Sequence, residues 1–130
     1  MLNYYTSDGN LDAIWVDSKA REAAEKFSST AKGSIVLKTS QLRRFYADVK
    51  TLERQWQAAS DKDAAFASIL PMIKLLKAKS EYALIRKVVP QSFRDWLWEH
   101  VDAIKTSKDF RAFLLHFEAV VGFSARFTKD

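Results

Sequence analysis

Positive side chains flank a single aromatic ring in the segment from residue 77 to residue 87, KAKSEYALIRK. Within it, Lys79, Tyr82 and Arg86 follow one another at spacings of three and four residues, which places them on one edge of a helix. Such an edge offers point charges to phosphate groups with a flat ring between them, as in many proteins that bind single strands without reading sequence. One alternative is that these charges belong to a solvated helix surface without a ligand. Another is that Tyr82 is a core residue.

A second basic pattern lies earlier in the chain. Arg43, Lys50 and Arg54 are separated by seven and four residues, so on a helix they form a narrow ridge about 100° or more from the apolar stripe. Arg44 projects away from this ridge near Asp48, where a surface ion pair that contributes little is the competing interpretation. We expect the basic side chains between residues 38 and 94 to converge in one continuous track. Its other members are Lys77, Lys79, Arg86 and Lys87.

The net charge of +5 is concentrated in the middle of the chain. Residues 38–94 carry twelve basic and five acidic side chains, a surplus of +7, whereas residues 1–37 and 95–130 each carry −1. A concentrated positive field attracts polyanions such as nucleic acid, whereas an even distribution would favour only solubility.

Recognisable catalytic patterns are missing from the sequence. The chain has no Cys, which removes thiol nucleophiles and thiolate metal sites and fits a reducing cytoplasm. It has no Gly-rich phosphate loop, and its two histidines, His100 and His116, do not form a metal-binding pattern. A hydrogen-bonded core or interface position is the more ordinary interpretation of His100 than a pairing with a neighbouring carboxylate, and the same interpretation applies to His116. We predict no enzymatic activity, no cofactor and no metal.

The elements that position these residues are predicted to be helices, because only three Gly and two Pro punctuate the chain. We expect a helix from about Asp12 to Phe27, a linker at Ser28–Ser34, and a helix capped by Thr39 or Ser40. A third helical region starts near Asp61 or Asp63, and Pro71 either kinks it or divides it. A fourth helix opens at Pro90 or Ser92, and a fifth is capped by Ser107 and runs to about Phe127.

These elements predict an all-α fold, a single-domain bundle of four to five helices. Residues 1–37 are expected to form an N-terminal arm with a first helix and a linker, and residues 38–130 the bundle core with its basic surface. The last helix carries a second apolar stripe that includes Phe123 and Phe127. With Trp98, these residues are the candidate protein interface; a buried, central last helix is the alternative. No run approaches the roughly 20 apolar residues of a membrane span.

Three segments, in this order, resemble motifs of a known family. The first is TSQLRRFY at residues 39–46, and the second is LKAK at residues 76–79 followed by Tyr82 and Arg86. The third is SKDF at residues 107–110, leading into FEAVV at residues 117–121. Together they cover about residues 38–127 and resemble the small subunit of the type III-A (Csm-type) CRISPR effector complex. The chain departs from the family's pattern at Ile85, where Gly is usual, and residues 1–37 match no motif.

This resemblance implies a role in assembly. Members of the family are helical bundles that stack as several copies in a minor filament, beside the backbone subunits that hold the crRNA, and they help to hold target RNA without cutting it. The implied partners are target RNA, the crRNA backbone, the backbone and large subunits, and further copies of the chain. Arg43 and Arg44 match the basic pair of the first motif, and Lys77, Lys79 and Arg86 match the second. The alternative functions are that of a type III-B-like small subunit and that of a helical protein-interaction adaptor that binds no RNA.

Overall fold

Apolar side chains at helical spacing organise most of the chain into helices. In the computed structural model, which describes residues 2–29, 33 and 35–127, five α-helices follow one another. They are α1 (Ser18–Phe27), α2 (Thr39–Ala58), α3 (Lys62–Ile85), α4 (Gln91–Ala103) and α5 (Ser107–Ser124). A one-turn 3-10 helix, Ala13–Val16, precedes α1. The predicted all-α bundle is confirmed. Of the predicted linker at Ser28–Ser34, residues 30–32 and 34 lie outside the described residues.

α5 is the central helix of the bundle. It packs against α1, α2 and the 3-10 helix, while α3 packs against both α2 and α4. Its principal face buries Phe110, Phe113 and Phe117, and its second stripe buries His116 and Val120. A helix that is apolar on two sides can bury both only when neighbours cover both, which explains its central place.

The N-terminal residues belong to the same core. Tyr4 is only 1% exposed, and its hydroxyl lies 2.7 Å from Nδ1 of His100 on α4. A tight turn at Asp8-Gly9 returns the chain, with Gly9 at a φ of 83° that suits glycine. The predicted helix from Asp12 to Phe27 is interrupted at Asp17, whose φ of −132° and ψ of −105° are not helical.

Two predicted helix starts are wrong by one or two residues. The N-cap of α2 is Lys38, which makes no side-chain capping bond, rather than Thr39 or Ser40. The N-cap of α5 is Thr106 rather than Ser107, because Thr106 and Asp109 form a reciprocal capping box. Pro71 neither divides nor ends α3, which continues through it from Lys62 to Ile85.

Candidate nucleic-acid interface

A groove of about 350 Å³ lies between the facing sides of α2 and α3. Its floor is apolar, formed by the buried side chains of Phe45 and Ala83 and the half-buried Val88. The polar and aromatic residues that line it are Gln41, Arg44, Asp48, Lys79, Tyr82 and Arg86. Three cations against one carboxylate leave the groove with a formal charge of +2.

Helical spacing explains how the groove collects its charges. Lys79, Tyr82 and Arg86 share the edge of α3 that faces α2, and Arg44 and Asp48, four residues apart, share the facing edge of α2. Nζ of Lys79 lies 3.3 Å from Oδ2 of Asp48, and their side chains are 45% and 40% exposed. An ion pair this exposed contributes at most about 1 kcal/mol, so Lys79 can exchange Asp48 for a phosphate at little cost.

Two competing interpretations of the sequence are wrong at this groove. Tyr82 is 65% exposed and is therefore not a core residue. The guanidinium carbon of Arg86 lies 5.4 Å from the Tyr82 ring centroid, a distance at which cation and ring attract each other. The ion-pair partner of Asp48 is Lys79 and not Arg44, which has no ion pair with any residue that the structure describes.

Lys87 stands just beyond α3 in a left-handed backbone conformation, with a φ of 62°. Its amide donates to the carbonyl of Leu84 at 2.9 Å, and the amide of Val88 donates to the carbonyl of Ala83 at 3.1 Å. These two bonds define a Schellman ending of the helix, whose left-handed position is usually taken by Gly. Lys87 thus adds a charge next to Arg86 at a position where a side chain strains the backbone.

Lys77 lies on the other side of α3. Its Nζ is 2.7 Å from Oδ1 of Asp102 on α4 and 4.9 Å from the centroid of Trp98. The Trp98 indole donates to the carbonyl of Lys77 and to the hydroxyl of Ser80, each at 3.0 Å, and Arg94 covers its ring at 3.6 Å. Lys77 and Trp98 therefore join α3 to α4. The structure does not bring Lys77 together with Lys79, which faces α2.

The ridge of Arg43, Lys50 and Arg54 follows the solvent side of α2, about 100° around the helix from Arg44. Arg43 and Arg54 are exposed, and Arg54 donates to the hydroxyl of Thr51 at 3.1 Å. Lys50 forms an ion pair with Glu53, and this hydrogen bond raises the pKa of Lys50. The basic residues on α2 thus belong to two patches about 100° apart around that helix, rather than to the one continuous track that the sequence predicted.

The candidate interface residues are only partly exposed. Phe123 and Phe127 are half-buried, and the guanidinium of Arg21 lies 6.0 Å from the Phe123 ring centroid. The more exposed apolar side chains lie on α3 and are Met72, Leu75 and Ile85, the last 69% exposed. Helical spacing predicted Met72 on the core side of this helix, and that prediction is wrong, because Met72 is 47% exposed. Leu75 and Ile85 lie off the main apolar stripe, which was the signal in the sequence for their exposure.

The two histidines form a stacked pair inside the bundle, with ring centroids 4.5 Å apart. Nε2 of His116 accepts from the Trp96 indole at 3.1 Å, so its Nδ1 carries the proton donated to the carbonyl of Trp15. Burial lowers the pKa of His116 to about 4, and burial together with His116 lowers the pKa of His100 well below its ordinary value. Both rings are therefore neutral at pH 7 and hydrogen-bonded in the core, as expected from the sequence.

The described residues contain no group of three or more His, Asp or Glu side chains placed to hold a metal ion. No helix among them is long and apolar enough to cross a membrane. What the arrangement offers is positive charge beside an exposed ring. The fold and the site together define a small helical-bundle protein with a basic groove.

The chain belongs to the family described as Csm2 Type III-A, whose model matches residues 16–130. This is a family of structural small subunits of the type III-A CRISPR complex, which assemble with the other Csm subunits. The resemblance stated from the three motifs is confirmed, and the match extends it into residues 16–37, where no motif was evident. Neither a comparison with curated proteins nor one with solved structures gave a match.

Proposed function

We propose that this chain is the non-catalytic small subunit of a type III-A effector ribonucleoprotein in the cytoplasm, where it holds target RNA and the crRNA by their phosphates during antiviral defence. The observation that carries the proposal is the convergence of Arg44, Lys79 and Arg86 on one groove of net charge +2. Phosphate contacts position a strand without reading its bases, which suits a subunit that must serve any guide.

The candidate residues take unequal parts in this proposal. Arg44, Lys79 and Arg86 line the groove, and Lys87 extends it beyond the end of α3. The ridge of Arg43, Lys50 and Arg54 is a second contact surface, weakened at Lys50 by its ion pair with Glu53. Lys77 ranks last as a phosphate ligand, because Asp102 already holds its charge at 2.7 Å.

Assembly requires protein surfaces as well as RNA. We propose that copies of the chain stack through the last turn of α5 and the turn that follows it, where Phe123 and Phe127 are half-buried. Trp98 is also half-buried, but its indole N–H already has two acceptors and its ring is covered by Arg94. It therefore supports α3 and α4 rather than offering a free ring to a partner.

Two triple variants with equal charge change test the RNA-binding site. Arg44, Lys79 and Arg86 are replaced by Glu in the first, and Arg43, Lys50 and Arg54 in the second. Binding to a labelled single-stranded RNA is measured by fluorescence anisotropy at several salt concentrations. If one copy neutralises about three phosphates, the wild-type log–log salt slope is near −2.

We expect the groove variant to lose binding at all salt concentrations and the ridge variant to keep most of it. Circular dichroism and thermal unfolding confirm that each variant is folded. A folded groove variant with wild-type affinity would contradict the assignment. The adaptor alternative is tested by recovering the untagged partners: crRNA with several Cas proteins supports the proposal, whereas one protein partner without RNA supports the adaptor.

A further inference from the structure

The groove between α2 and α3 contains more than a phosphate site needs. Phosphate ligands require only exposed cations, yet this groove has an apolar floor of Phe45, Ala83 and Val88. Beside that floor stands the ring of Tyr82, 65% exposed. A flat ring left in water next to an apolar depression offers a stacking surface and a place for a second ring to avoid solvent.

The size of the groove limits what can enter it. About 350 Å³ lies near the lower end of the range of small-molecule sites, roughly 300–1,000 Å³. A duplex or a partner helix is too large for such a volume, whereas one planar heterocycle suits it. A base enters such a site only when it is unstacked from its neighbours, as in single-stranded RNA.

The charges fit one nucleotide of a strand. Arg44, Lys79 and Arg86 line the groove with the single carboxylate of Asp48, which leaves a formal charge of +2. A base inside the groove brings one phosphate on its 5′ side and one on its 3′ side. The formal charge of +2 in the groove therefore balances the two negative charges of these phosphates. The guanidinium carbon of Arg86 lies 5.4 Å from the Tyr82 ring centroid. A phosphate bound to Arg86 would therefore lie beside the ring on which the base stacks.

We propose that this groove binds one unstacked nucleobase of single-stranded RNA against Tyr82, with its two flanking phosphates on Arg44, Lys79 and Arg86. The inference rests on the proposed function, since it requires that the chain binds RNA. It adds a base-binding site to the phosphate contacts. Every base has a π-face, so stacking on Tyr82 adds affinity without selecting a sequence.

The test compares a labelled single-stranded RNA with a strand of equal length that is abasic at every position and keeps all of its phosphates. Base stacking on an aromatic side chain corresponds to a change of about 5- to 150-fold in affinity. We expect the abasic strand to bind the full-length protein more weakly by a factor in this range. Tyr82→Ala should weaken binding of the normal strand by a similar factor, with no further loss on the abasic strand.

Three controls separate stacking from charge and from general surface effects. Tyr82→Phe keeps the ring and should bind like the wild type. Ile85→Ala removes an exposed apolar side chain of the same helix outside the groove and should change nothing. The salt slope should be the same for Tyr82→Ala and the wild type, because no charge is removed, whereas Arg44→Gln should make the slope shallower by about 0.7.

A strand carrying 5-iodouridine should cross-link on irradiation to Tyr82, as mapped by mass spectrometry. Equal affinity of the normal and abasic strands, or an unchanged affinity of Tyr82→Ala, would overturn the base site while leaving phosphate binding intact. If the proposed function itself is wrong, the wild-type protein should bind neither the normal nor the abasic strand at low salt. A wild-type protein that binds only an acidic protein partner would overturn both.

Discussion

Replacing Lys87 by Gly separates the strain of the α3 ending from the charge it presents. A left-handed backbone costs a residue with a side chain about 1–2 kcal/mol. Gly avoids that cost but loses about 0.5–1 kcal/mol more conformational entropy on folding. Lys87 has a φ of 62°, so Lys87→Gly should stabilise the protein by about 0.5–1 kcal/mol. For a domain of this size, that gain raises Tm by about 2–4 °C.

The matched control is Lys87→Ala, which removes the same charge but keeps the strained backbone. Urea unfolding followed by circular dichroism should show a stability gain for Lys87→Gly and little change for Lys87→Ala. RNA binding should not distinguish the two, because each loses one cation. If Lys87 touches a phosphate, both salt slopes should become shallower by about 0.7.

Each readout can refute its own part of this reasoning. A Gly variant less stable than the wild type would show that the Lys87 side chain makes stabilising contacts that outweigh the backbone strain. Unchanged RNA affinity and slope in both variants would remove Lys87 from the RNA-binding surface. A stability gain without any loss of RNA binding would leave the strained lysine at this position without a function in RNA binding.

Three further outcomes are expected. The unfolded state binds protons at a histidine pKa near 6.5 while His100 and His116 stay neutral in the core, so stability is lost as pH falls from about 6.5 toward 4. Urea unfolding at pH 5.5 should therefore show a loss of about 2–3 kcal/mol relative to pH 7.5, and a pH-independent stability would contradict this. Asp48→Asn frees Lys79 and should tighten RNA binding by about 2- to 5-fold in the anisotropy assay; weaker binding would show that Asp48 positions Lys79. Phe127→Asp should lower the number of copies in the purified complex without changing the circular dichroism of the isolated chain, and normal assembly would contradict the stacking proposal.

Spacing along a helix was enough to predict one edge of the groove. The direction of a side chain on a helix depends only on its position in the sequence, so Lys79, Tyr82 and Arg86 stand together as expected. The same rule separates Lys77 from Lys79, which are two residues and therefore about 200° apart. The predicted continuous track is therefore wrong for this pair, because a surplus of charge along a sequence does not indicate on which side of a helix each residue lies.

Features that depend on distant contacts gave no local signal. Tyr4 is buried because it meets His100, 96 positions later in the chain, and nothing in the polar N-terminal segment indicates that contact. The exposure of Tyr82 likewise depends on which sides of α3 its neighbours cover. The start of α5 did have a signal: Asp109 stands three residues after Thr106 and not after Ser107, as a capping box requires.

The two sides of α3 use basic residues in different ways. On the α4 side, Lys77 meets Asp102 at 2.7 Å, and Arg94 meets Glu81 at 3.0 Å and Asp95 at 2.8 Å. Paired charges largely cancel in the field that they project into solvent, where screening leaves little beyond about 10 Å. These residues join helices and contribute little to the attraction of a polyanion.

Within residues 38–94, which the structure describes in full, the basic side chains without an ion pair therefore lie on α2 or next to it. Arg44 faces the groove on one edge of this helix, and the exposed Arg43 and Arg54 follow its solvent side about 100° away. An RNA strand that touches both patches must cross the outer surface of α2, because the bundle core covers the opposite face of that helix, where Val49 is fully buried. One helix thus sets the direction in which such a strand would cross this surface, from the exposed Arg43 and Arg54 to the groove that α2 and α3 line together.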